Sequence, residues 1–182
     1  MKTKKKKRAH RPGFGKQKGA SFERLICKTL SLWVSKGKRD DLFWRSAMSG
    51  GRASVQFKKG VVNKTQSGDI TAIDPLGAPL LNKFFIECKF YRDLHFPALL
   101  MEKEGKNGAQ HFWRICQEQA AKYKKLPMLI MKQNGTMPTF FGVDTQGFDA
   151  LGGTTATAFF PAYDLYLLSA VQFSKVKTHK RG

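Results

Sequence analysis

Asp69 and Glu87 are two carboxylates eighteen positions apart, and the second sits in the run Phe85-Ile86-Glu87-Cys88-Lys89. A strand alternates faces and rises about 3.3 Å per residue, so Glu87 and Lys89 leave the same side about 7 Å apart. The other side carries Phe84, Ile86, Cys88 and Phe90, an apolar row that predicts one face in a core and makes the polar face the odd one. Between the two carboxylates, Asp74-Pro75-Leu76-Gly77-Ala78-Pro79 is rich in turn formers and predicts a hairpin. Centred near Ala78, that hairpin would set Asp69 opposite Glu87. Two neighbouring carboxylates repel and one pKa rises, unless a cation sits between them. Few oxygen ligands beside a phosphate suit Mg2+ or Mn2+ better than zinc. The chemistry within reach is hydrolysis of a phosphodiester by metal-activated water. A lysine beside the metal would orient or help deprotonate that water and stabilise the charge that develops. The plainer reading of the same residues is a cross-strand ion-pair cluster, worth little at a surface.

Several elements must bring these groups together. Over residues 20–35, Phe22, Leu25, Ile26, Leu30 and Trp33 recur at helical spacing, with Ser21 near the start and Gly37 past the end. Glu23 borders this helix on a stripe with Cys27, Leu30 and Val34, and a half-buried carboxylate there needs a partner: a neighbouring Arg or Lys, or the acidic site. Residues 42–45 read as a short strand. The polar loop Ser46-Ala47-Met48-Ser49-Gly50-Gly51-Arg52 follows, and its glycine pair permits close approach to a ligand. Residues 52–67, with Arg52, Lys58, Lys59 and Lys64, form a basic insertion, either a flap over DNA or a surface loop. Residues 91–108 look irregular and 110–125 helical, with Gln119 and Tyr123 on its apolar side. Met128-Leu129-Ile130-Met131 is a buried strand, so the intervening helix makes the right-handed crossover of an α/β sheet. A further strand is expected at 139–143, a loop at 147–157 and a helix at 161–173.

With 182 residues, 41% of them hydrophobic, the chain has enough material for one core and too little for two comfortable domains. The expected organisation is a single domain over residues 18–174 between a disordered basic arm, 1–17, and a basic tail, 175–182. The arm, with Lys4-Lys5-Lys6-Lys7-Arg8, would either touch the phosphate backbone or stay solvated. A net charge of +20 attracts polyanions and makes nucleic acid the first partner to consider, with affinity falling steeply in salt. A ribosome-associated or merely basic protein would carry similar charge. Cys27, Cys88 and Cys116 are isolated in apolar patterns, as reduced thiols of an intracellular protein would be, in cytoplasm or nucleoid, with a viral origin compatible. No CxxC pair supports zinc, and the four histidines are scattered. No apolar run approaches the roughly twenty residues of a membrane span, and the charged N-terminal run has no apolar segment behind it to make a secretory signal.

The ordered set Glu23, Asp69, Glu87-Cys88-Lys89 resembles the PD-(D/E)xK nuclease superfamily, and within it the archaeal-type Holliday junction resolvases. Lys18-Gly19-Ala20-Ser21-Phe22-Glu23-Arg24 is similar to the opening of those enzymes, Arg45-Ser46-Ala47-Met48-Ser49-Gly50 to their arginine and serine-glycine loop, and Gly68-Asp69-Ile70 with Ile86-Glu87-Cys88-Lys89 to their paired metal-binding motifs. The likeness covers residues 18–132. It departs from the resolvase pattern in the insertion at 52–67 and in a longer region beyond Lys132. The resemblance implies a restriction-endonuclease-like mixed sheet flanked by helices. It implies Mg2+ on Asp69, Glu87 and the main-chain carbonyl of Cys88, with Glu23 completing the site directly or through a water, and Lys89 beside the attacking water. Lys18, Arg45, Ser46, Ser49 and Arg52 would meet the DNA. A junction resolvase would be a symmetric homodimer, for which Phe140, Phe141, Phe159 and Phe160 are candidate apolar material. The alternatives are a restriction-like or flap-type endonuclease on the same fold, and a DNA-binding protein with a vestigial site.

Overall fold

The computed structural model describes residues 14–46, 67–101, 108–135, 138–153 and 155–176. The arm up to residue 13, the segment 47–66 and the tail from 177 lie outside the described residues, so the expectations for them have no counterpart here.

Helix α1, Phe14–Val34, begins inside the segment expected to be a disordered arm. Of the residues expected on its apolar side, Phe22, Ile26 and Leu30 are buried together with Cys27 and Trp33 is partly buried, but Leu25 is 50% exposed. The chain leaves the helix through two left-handed residues, Lys36 (φ 55°) and Gly37 (φ 82°), and Gly37 N–H donates to the Leu32 carbonyl at 2.7 Å. Strand β1, Phe43–Arg45, pairs antiparallel with β2, Ile70–Ala72, with Arg45 opposite Ile70. Ser31 fixes this ribbon to α1: its buried hydroxyl donates to the Cys27 carbonyl and accepts the N–H groups of Leu42 (3.0 Å) and Phe43 (3.2 Å).

The expected hairpin is absent. Helix α2, Ala78–Lys83, fills that segment and runs straight into β3, Phe84–Tyr91, while β2 pairs with β1 rather than with β3. Turn residues 74–77 start a helix here because Pro79 lies in its first turn, where its missing N–H costs nothing. Helices α3, Phe96–Leu100, and α4, Ala109–Lys122, follow, then β4, Leu126–Gln133, parallel to β3 with Cys88 opposite Ile130. Strand β5 is Phe140–Val143 and helix α5 Thr145–Ala150; β6 is Ala158–Phe160, a 3-10 turn covers Pro161–Tyr163, β7 is Leu165–Ser169 and helix α6 Ala170–Lys175. The second sheet runs β3-β4-β5-β7-β6, antiparallel after the first pair, so the chain has a mixed sheet with helices on both sides.

Two sequence expectations in the C-terminal third give way. Residues 147–157 contain most of α5, whose N-cap Asp144 accepts the Gly147 N–H at 2.6 Å. Residues 161–173 hold a strand before their helix, because β7 is buried on both faces and its run Leu165–Leu168 lacks the alternation that marks a strand. Sheet burial also corrects the reading of β3. One core packs against α1 through Phe84, Ile86 and Cys88; a second, built on α4, takes Phe85 and flanks Glu87 and Lys89. The polar pair therefore lies on a covered face, with side chains only 19% and 23% exposed.

Candidate active site

Strand β3 is the end strand of its sheet, and its outer edge is met by Gly68-Asp69. Asp69 N–H donates to the Ile86 carbonyl at 2.9 Å, and the Asp69 carboxylate Oδ2 accepts the Cys88 N–H at 2.8 Å. In a strand, the polar groups of alternate residues leave the same edge, so the Cys88 carbonyl projects on the Asp69 side as well. Gly68 makes the approach feasible. Its φ is +84°, and a Cβ there would lie 2.4 Å from the Ile86 carbonyl oxygen. Ser46 N–H donates to the Asp69 carbonyl at 2.8 Å and clamps the aspartate from its other side.

Two ion pairs flank this edge. On the α4 face, Lys89 Nζ meets Glu87 Oε1. On the α1 face, Arg45 Nε donates to Glu23 Oε2 at 2.5 Å, joining β1 to α1. Asp69 itself is buried, and burial, then the negative charge of Glu87, pushes its carboxyl up to about 7 against the pull of the Cys88 N–H and Lys89. Glu23 adds to the rise from the other face. Burial lowers Lys89, but Glu87 and Asp69 outweigh it and leave the ammonium above its ordinary value, protonated at neutral pH. Two carboxylates 64 positions apart in the chain, Glu23 on α1 and Glu87 on β3, therefore both act on Asp69 at the edge of the sheet.

The model of a family described as "Phage putative PDDEXK endonuclease" matches residues 15–158. The chain belongs to that family. No curated protein and no solved structure gives a match. The mixed sheet with flanking helices is the restriction-endonuclease-like α/β fold expected of a PDDEXK endonuclease, and the family makes the chain a nuclease.

Such nucleases use divalent metal ions, and the donor set of this endonuclease suits one. A buried carboxyl held above its ordinary range beside a second carboxylate is the environment that a bound cation relieves. Among the described residues no group of three or more His, Cys, Asp or Glu stands close enough together to hold a metal ion by itself. The cysteines are poor ligands: burial pushes Cys27 up to about 12, and Cys88 and Cys116 well above their ordinary value, so all three stay protonated thiols.

The residues expected to meet DNA divide. Ser49 and Arg52 lie outside the described residues. Arg45 pairs with Glu23, and Ser46 is 4% exposed with its N–H on the Asp69 carbonyl, so both lie beside the acidic edge. Lys18 lies further along β3, over the Phe90 ring. Tyr123 stacks on Phe85 in the second core. Sequence reasoning missed Gly68 and Ser31 as positioning residues. A glycine directly before Asp69 was a readable signal for the first; nothing local marks Ser31. No helix of the described residues is long and apolar enough to cross a membrane.

Proposed function

We propose that the chain is an Mg2+-dependent DNA endonuclease with Asp69, Glu87, Lys89 and Glu23 at its centre, and that its substrate is a branched duplex, the four-way junction first. The observation that carries the reading is the docking of Gly68-Asp69 on the edge of β3, which sets a buried carboxylate beside Glu87-Cys88-Lys89.

Asp69, Glu87 and the Cys88 carbonyl would hold the ion. When bound, it supplies a water of lowered pKa and screens the charge of the scissile phosphate. In holding the ion, Glu87 would loosen its contact with Lys89, and the ammonium would then be available to the phosphate. Lys89, beside that water, would orient it or help deprotonate it and would stabilise the negative charge of the transition state. Arg45 holds Glu23 at the rim of the site, where it can bind a water of the ion's outer shell. The expected products carry 5′-phosphate and 3′-hydroxyl ends.

Junction cutting would need a homodimer. Of its candidate aromatics, Phe141 stacks on Phe173 with ring centroids 3.9 Å apart inside the core, Phe140 packs on Phe96, and Phe159 is 44% exposed. Only Phe159 offers substantial free apolar surface among the four. The resolvase likeness supports a junction substrate; the phage endonuclease family is equally consistent with another endonuclease, cutting linear or flapped duplex.

The deciding experiment is cleavage of a labelled four-way junction beside linear duplex and flap substrates, by wild type and Asp69→Asn, in Mg2+ and in Ca2+. Paired symmetric nicks in Mg2+ alone, lost in Asp69→Asn while binding survives, establish the resolvase. Equal cutting of the controls discards junction specificity and keeps the nuclease. Tight binding without cleavage of any substrate overturns the catalytic reading.

A further inference from the structure

Phe90 closes the apolar row of β3 two residues beyond Cys88, and lysines from two different elements converge on its ring. Lys18, near the start of α1, places Nζ 3.7 Å from the ring centroid. Lys132, beside Phe90 in the parallel register of β3 and β4, places its own 5.7 Å from the same centroid. One shared ring keeps both ammoniums within about 10 Å of each other, the screening length at 0.1 M salt, so they repel. Lys18 donates to the neutral Asn134 Oδ1 at 2.5 Å. Among the described residues neither lysine has a carboxylate within ion-pair reach. Burial lowers Lys18, and no acidic neighbour restores it.

The pair is ordered by contacts that an anion would leave intact. Lys18 lies on the same stripe of α1 as Phe22, whose ring packs on Phe90 at 5.3 Å, so the aromatic seat is part of the core and not a mobile side chain. A cation over a ring face keeps its remaining N–H donors outward. The distance from Cys88 to Phe90 along the strand is about 7 Å. That is one or two nucleotides of travel along a duplex axis, at about 3.4 Å each.

We propose that Lys18 and Lys132 form a phosphate-binding subsite that grips a non-reacting phosphodiester one or two nucleotides from the scissile one. The subsite rests on the nuclease reading of the neighbouring edge and deepens it by fixing where the strand continues. It also assigns Lys132, which charge patterning alone did not distinguish from the other 32 Lys and Arg residues.

The test uses the full chain, a labelled duplex and a labelled four-way junction, with binding measured in Ca2+ over a range of salt. Lys18→Gln/Lys132→Gln should flatten the slope of log affinity against log salt by about 0.9 on duplex, the value for one lost phosphate contact. Lys38→Gln/Lys83→Gln removes the same charge from exposed sites elsewhere and should leave the slope unchanged. Lys18→Arg/Lys132→Arg should restore it. If the double Gln variant fails to fold by circular dichroism, Lys132→Gln alone, which keeps the Lys18–Asn134 contact, should carry half the change. An unchanged slope, or an equal change in the Lys38/Lys83 control, overturns the subsite. Cleavage in Mg2+ separates the two readings. A wild type that binds with the lysine-dependent slope and cuts nothing refutes the nuclease and keeps the subsite; one that cuts with a lysine-independent slope does the reverse.

Discussion

Asp69 and Asp74 stand five positions apart, one on each side of β2, and their surroundings drive them in opposite directions. Asp74 caps a turn at the surface: the Leu76 N–H donates to it at 2.8 Å, Arg39 reaches it at 2.7 Å, and its carboxyl falls below the ordinary range. Asp69 also accepts a backbone N–H at 2.8 Å, yet burial and Glu87 raise it to about 7. The hydrogen bonds are alike, so the difference lies in desolvation and in the sign of the neighbour. An acidic residue whose partner is a cation contributes to the fold. One buried beside another carboxylate is costly to the fold, and the proposed active site would account for that cost.

The largest expected effect breaks the comparison at its root. Asp69→Asn should reduce Mg2+-dependent cleavage on the order of 10³-fold with DNA binding retained, while Asp74→Asn should leave the rate within about twofold. Rates on a common substrate decide it, and comparable losses from the two would mean that Asp69 is structural too.

Next comes the approach that sets Asp69 against β3. Gly68→Ala puts a Cβ against the Ile86 carbonyl and should displace Asp69, lowering cleavage about 10²-fold. Gly37 has nearly the same φ, +82°, with nothing within 4 Å of its ideal Cβ. Gly37→Ala should therefore cost about 1–2 kcal/mol of stability and leave the rate per folded molecule intact. Melting curves and cleavage rates measured side by side distinguish steric displacement from backbone strain.

The smallest effect sharpens the electrostatics. The unfolded Asp69 carboxyl ionises near its ordinary 3.8 and the folded one near 7, so the folded chain retains the extra proton between them and its stability falls as pH rises through that window. Asp74 behaves oppositely: its lowered carboxyl contributes stability above the unfolded value, and that contribution is lost as pH falls through the folded one. Melting from pH 4 to 7 should show Asp69→Asn gaining on the wild type as pH rises, whereas the deficit of Asp74→Asn should be nearly constant over that range and shrink only below about pH 4. Mg2+ should shrink the first difference and not the second. A gap between wild type and Asp69→Asn that does not vary with pH would count against the buried-charge account.

Much of the candidate site's geometry was legible because its signals are local. Glu87 and Lys89 share a face through the period of a strand, and the stripe of α1 placed Glu23 at its border. What could not be read depends on contacts far apart in the chain. Arg45 finds Glu23 across 22 positions only because the Ser31 hydroxyl ties β1 to α1. Asp69 reached the neighbourhood of Glu87 without the expected hairpin, by a backbone bond to an open strand edge that no turn residue announces. In the C-terminal third, β7 is sandwiched between two cores, and its unbroken apolar run looks the same as a helix segment to any periodicity test.

The bond from Asp69 to β3 also has a bearing on how the protein behaves in concentrated solution. An eight-residue strand rich in phenylalanine at the margin of a sheet is a template for pairing with a second molecule. Gly68-Asp69 occupies the Ile86 carbonyl and the Cys88 N–H that such pairing would use. The loop that brings in the acid is thus also a stopper against edge-to-edge polymerisation, and substitutions that loosen it should yield protein that precipitates as well as protein that fails to cut.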